Sequence, residues 1–89
     1  MNNQSYRQAI GQKLEDFRKS QNLSMYRVAK NGDIKEHSVA AVEKGETAYT
    51  IDSLLGYLEG CNLHLFIGEK DNPIDVDDLL KSMPENPSE

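Results

Sequence analysis

Cys61 and His64 stand in a Cys-Asn-Leu-His run, and this C-x-x-H spacing is the part of the sequence closest to a metal site. Two copies brought together about a symmetry axis would offer two thiolates and two imidazoles, a donor set that zinc accepts. Cys61 is the only cysteine, so it closes no disulfide within the chain. It reads more simply as a small buried residue at a helix end, with His64 a partly exposed strand residue. No metal and no cofactor is expected. His37 is either a contact residue, a pH-responsive group or an ordinary surface histidine. No nucleophile is grouped with a base and an acid in any recognisable motif, and no Gly-rich run is built to cradle a phosphate. Enzymatic activity is not expected, and binding is.

Charge narrows what is bound. The 89 residues carry a formal net charge of −5 from 10 Lys+Arg and 15 Asp+Glu, unevenly spread. Residues 1–44 hold eight basic side chains against five acidic ones, a net +3, whereas residues 71–89 hold six acids against Lys81 alone, a net −5. The first half suits a polyanionic partner, and the tail either solvates the protein or competes for that basic surface. A chain of this length, 37% hydrophobic and without Trp, builds one modest aliphatic core, and oligomerisation would enlarge it. Its apolar runs are far shorter than the roughly 20 residues that span a bilayer. The polar start has no basic run leading into an apolar stretch, so a cytoplasmic location is expected.

These groups need elements to carry them. Ser5 and Gln8 fit a capping box for a first helix over residues 6–21, with Tyr6, Ile10, Leu14 and Phe17 as its apolar stripe. Leu23 and Val28 flank Ser24 as a hydrophobic staple would, so Ser24 caps a short second helix over 25–31. Asn31-Gly32-Asp33 is a turn signal. A third helix follows, with Ile34, Val39 and Val42 as apolar positions, Ala40 and Ala41 between them, and Gly45 as its stop. Thr50 caps a fourth helix whose stripe is Ile51, Leu54, Leu55 and Leu58, closed by Gly60. Residues 63–67 alternate as one short strand with no second strand in view, Asp71-Asn72-Pro73 breaks it, and Ile74, Val76, Leu79, Leu80 and Met83 allow a short amphipathic turn or helix.

Two short helices joined by a tight turn, with small Ala29 in the first and Val39 and Val42 in the second, describe a helix-turn-helix. Over about residues 10–65 the pattern Leu14, Arg18, Leu23-Ser24, Val28-Ala29, Ile34, Ser38-Val39, Val42-Glu43-Lys44-Gly45, Ile51 and Leu54-Leu55 resembles the lambda-repressor-like Xre/Cro family. The resemblance implies a second helix lying across the DNA backbone and a third helix in the major groove. On that basis Ser24, Met25 and the first amides of the second helix would sit at a phosphate. Lys35, Glu36, His37, Ser38 and Ala41 would face the groove, and Lys44, Thr47 and Tyr49 would hold the flanking backbone. The sequence departs from the family at two points. Met25 stands where the family usually has a phosphate-binding Gln, and Asp33 falls where it has the turn glycine, so that Asp33 with Glu36 could itself be a capping box starting the third helix sooner.

The strand after the fourth helix is similar in layout to HipB-type antitoxins, which pair that strand across a two-fold axis. That implies a homodimer through Leu63, Leu65, Phe66 and Ile67, reading palindromic half-sites of double-stranded DNA about 34 Å apart. The expected fold is mostly α, a five-part helix-turn-helix domain of four to five helices with one short C-terminal strand pairing across the dimer. It divides into a flexible start (1–5), the helix-turn-helix domain (6–60), the dimerisation strand (61–70) and an acidic tail (71–89). The expected function is a sequence-specific DNA-binding repressor, in an antitoxin-like variant with a toxin or other protein partner as well. The alternative, consistent with Met25 and the net charge of −5, is a helix-turn-helix scaffold that binds proteins and not DNA.

Overall fold

The computed structural model describes residues 3–69 and 71–75. Four helices come first, α1 (Asn3–Ser20), α2 (Met25–Gly32), α3 (Glu36–Lys44) and α4 (Ile51–Gly60), followed by strands β1 (Phe66–Glu69) and β2 (Asn72–Asp75). The chain is mostly α, as its patterning predicts, and α2 and α3 are joined by three residues.

Three of the four helices stop in the same way. After α1, Asn22 takes a left-handed conformation (φ 59°), the Asn22 N–H bonds the Lys19 carbonyl and the Leu23 N–H bonds the Arg18 carbonyl. Asp33 and Ile34 repeat this after α2, and Asn62 and Leu63 after α4. This is the Schellman closure, and Asn or Asp supplies the left-handed residue because a short polar side chain tolerates positive φ. In each case the next residue is apolar, and Leu23, Ile34 and Leu63 all fold back onto the core. The closure after α2 corrects the expected role of Ile34. It lies in the turn and plugs the core, and Asp33 ends α2 and does not cap α3, which begins only at Glu36 behind an extended Lys35.

The core consists of Leu14, Val28, Ala29, Val39, Val42, Tyr57, Leu58 and Cys61, drawn from all four helices and the end of α4. α2 packs closest on α4, because Gly32 and Gly56 bring their backbones together; a Cβ on Gly32 would collide with the Gly56 carbonyl. The inward face of α1 is Gly11, Leu14 and Arg18. Tyr6 and Ile10 of the expected stripe are instead exposed, as are Ile51 and Leu55 on α4, where wholly buried Tyr57 takes the inner position. α1 also starts earlier than expected, at Asn3. Ser5 is therefore inside the helix and caps nothing, since no Gly or Pro precedes Tyr6 and extending an existing helix by a turn is easy.

The largest departure is at the C-terminal side. The expected lone strand over 63–67 starts at Phe66, because the Leu63 N–H is used in closing α4 and both Leu63 and Leu65 pack on the chain's own core. β1 then pairs with β2, antiparallel, in the register Phe66↔Asp75, Ile67↔Ile74, Gly68↔Pro73 and Glu69↔Asn72. The expected break at Asn72-Pro73 is part of this second strand. Both strands of a two-stranded sheet are edges, where Pro is tolerated despite its missing N–H. β1 and β2 lie on either side of the boundary drawn between 70 and 71, Ile74 of the expected amphipathic turn or helix is part of β2, and the remainder of that segment lies outside the described residues. Among the described residues no helix is long and apolar enough to cross a membrane.

Candidate nucleic-acid interface

Ser24 caps α2 as its sequence predicts. Its Oγ accepts the Arg27 N–H at 3.0 Å, so the hydroxyl proton is left to donate, beside the unpartnered amides of the first turn. Met25 follows, half-buried against the core; its thioether side chain has no donor to offer a phosphate.

α3 turns Val39, Val42 and Glu43 inward. Lys35, Glu36, His37 and Lys44 are consequently exposed, and Ser38 and Ala41 are half-buried at the margin of the outer face. Glu36 in the first turn and Lys44 in the last both complement the helix dipole. Beyond Gly45 (φ 63°), Thr47 is exposed and Tyr49 is half-buried against the core, where burial pushes its phenol above the ordinary value. Gly45 admits no side chain: its φ is left-handed, and its Cβ direction points at the Arg7 backbone. The Arg7 Nε donates to the Gly45 carbonyl at 3.2 Å and so ties the end of α3 to α1.

The two helix faces meet at a polar cleft of about 390 Å³, bordered by Met25 of α2, Ala40 and Lys44 of α3, Glu46, and Gln8, Gln12 and Glu15 of α1, with Glu43 at its floor. The structure thereby joins Met25 and Lys44 in one surface. The other six, Gln8, Gln12, Glu15, Ala40, Glu43 and Glu46, are not among the site residues expected from the sequence. Gln8, Gln12 and Glu15 follow one another at helical spacing, a polar stripe that could have been read as a second rim. Ala40 lies midway between Glu36 and Lys44 at four-residue spacing, which was obscured while Ile34 was counted as the start of the helix.

Beneath the cleft lies a buried polar cluster. The Arg18 guanidinium donates from Nε and Nη2 to the two Glu43 carboxylate oxygens and from Nη1 to the Leu23 carbonyl at 2.8 Å, and the Tyr57 hydroxyl donates to the same carboxylate. Hydrogen bonding to Glu43 holds the Arg18 pKa above its ordinary value despite burial. Burial first, and then the bond to Glu43, push the Tyr57 phenol upward, so it keeps its proton and donates.

The predicted dimer residues divide. Leu63 and Leu65 pack on the core, while Phe66 and Ile67, on opposite faces of β1, are 59% and 58% exposed. Cys61 is in the core, where burial raises its thiol pKa, and the His64 Nδ1 stands 3.4 Å from an Asp75 carboxylate oxygen. The two residues of the C-x-x-H run therefore lie in different surroundings. Among the described residues no three His, Cys, Asp or Glu side chains gather as a metal site.

Compared with protein-family models, with curated proteins and with solved structures, the chain has no match.

Proposed function

We propose that this protein is a sequence-specific DNA-binding regulator of transcription, acting as a repressor and without enzymatic activity. The observation that carries the reading is the outer face of α3, where Glu36, His37 and Lys44 stand exposed and Lys44 borders the same cleft as Met25, the first residue of the Ser24-capped α2. In this reading α2 meets a phosphate through the Ser24 hydroxyl and the first free amides, and α3 lies in the major groove. Glu36 is suited to accept from cytosine N4 and Ala41 to touch a thymine methyl, with Lys44 and Thr47 on the flanking backbone. No Arg is on this face to read guanine, so intrinsic affinity is modest and a dimer is needed to raise it.

We assign that dimer to the hairpin. Phe66 and Ile67 leave apolar surface on both faces of β1, and a second copy of the chain would cover it. A protein-binding scaffold without DNA contacts is the competing reading, favoured by half-buried Met25, whose side chain cannot donate to a phosphate. Selection of bound duplexes from a random library decides between them. Enrichment of an inverted repeat with half-site centres about one helical turn apart is the expected result. No enriched sequence at low salt would overturn the DNA reading.

A further inference from the structure

The Tyr57 hydroxyl does nothing for packing that a Phe would not do, yet it is buried completely and aimed at the Glu43 carboxylate. We propose that Tyr57 is a positioning residue: through Glu43 it fixes the rotation of α3, and so which side chains α3 presents to DNA. The second half of this statement rests on the DNA reading above, and the first half does not.

Glu43 lies on the inner face of the last turn of α3. Arg18 reaches it from α1 and with a third N–H holds the Leu23 carbonyl, just before the cap of α2. That anchors the Glu43 carboxylate from the α1 side. Tyr57 reaches the same carboxylate from α4. Two anchors from different helices define an orientation where one does not. The consequence at the surface is large, because a side chain about 5–6 Å from the helix axis moves about 2 Å for a 20° roll. Such a shift breaks a hydrogen bond whose useful range is only a few tenths of an ångström. Glu36, His37 and Lys44 would then miss their targets with the helix still formed.

Tyr57→Phe keeps the ring and removes only the bond. Amide hydrogen exchange, measured where both proteins are fully folded, should show α3 amides exchanging roughly three- to tenfold faster in the variant, with α1 amides unchanged relative to wild type. The ratio of affinities for the enriched duplex and an unrelated duplex should fall by a similar roughly three- to tenfold, with affinity for the unrelated duplex nearly constant. Tyr57→Leu, which removes the same bond and leaves the Arg18–Glu43 pair intact, should show the same α3-specific pattern and serves as the second variant. Uniform acceleration across all helices, or unchanged exchange in α3, would overturn the positioning role. Faster α3 exchange with an unchanged affinity ratio would overturn its link to DNA. If wild type enriches no duplex, the DNA reading and the link to it fall together, and the exchange experiment still decides whether Tyr57 holds α3.

Discussion

Arg18 and Glu43, 25 positions apart in the chain, form a two-pronged ion pair in the interior, with both side chains more than nine-tenths buried. The pair joins α1 to α3. Removing one partner leaves the other charged, desolvated and unmatched, which typically costs about 3–5 kcal/mol, whereas an apolar pair of similar volume can be neutral. Glu43→Ala should therefore be destabilised by roughly that amount, enough to unfold much of so small a domain. Arg18→Met with Glu43→Leu should be more stable than Glu43→Ala alone. Urea melts of the three proteins check this.

Stability should fall in alkali. Burial holds the Tyr57 phenol and the Cys61 thiol above their ordinary values of 10.0 and 9.0, at which the unfolded chain releases these protons. Above about pH 9 the unfolded state therefore binds fewer protons than the folded one, and the unfolding free energy decreases as pH rises. Tm measured from about pH 7 to about pH 11 should be level at first and then drop, and Tyr57→Phe should lose part of the drop beyond about pH 10. A flat profile through that window would show that neither group is protected by folding.

How much of this was legible in the sequence depended on whether a signal was local. Ser24, Thr50 and Gly45 were, because a cap or a stop is decided within four residues, and the structure has all three in those roles. Ile34 misled because its apolarity fits a helix as well as it fits the plug after a left-handed residue. The significance of Tyr57 was invisible, since its partner Glu43 is 14 positions away. β2 was missed because Asn72-Pro73 reads as a breaker, and only a neighbouring strand makes it an edge. The candidate site had the same limits: the exposure of Lys35, Glu36, His37 and Lys44 followed from helical spacing, whereas the cleft that unites α3 with Gln8 and Gln12 is tertiary.

The dimer assigned to the hairpin gives a test of its own. Ile67→Lys places a charge on a 58% exposed apolar position of β1, outside the core. Sedimentation should show wild type as a dimer at micromolar concentration and the variant as a folded monomer, with DNA affinity reduced because the two half-sites are no longer bound together. A wild-type monomer under those conditions would remove the hairpin interface.

The central claim, that α3 and the start of α2 bind the DNA backbone and grooves, is tested most directly by the salt dependence of affinity for the enriched duplex. The plot of log K against log salt should fall with a slope of about −0.9 for each phosphate neutralised, and Lys44→Ala should make it shallower by about one per protomer bound. That substitution should weaken binding to enriched and unrelated duplexes alike, whereas His37→Ala or Glu36→Ala should change the preference between them. A slope near zero in wild type, or a slope unchanged by Lys44→Ala together with unchanged preference in both other variants, would contradict the account.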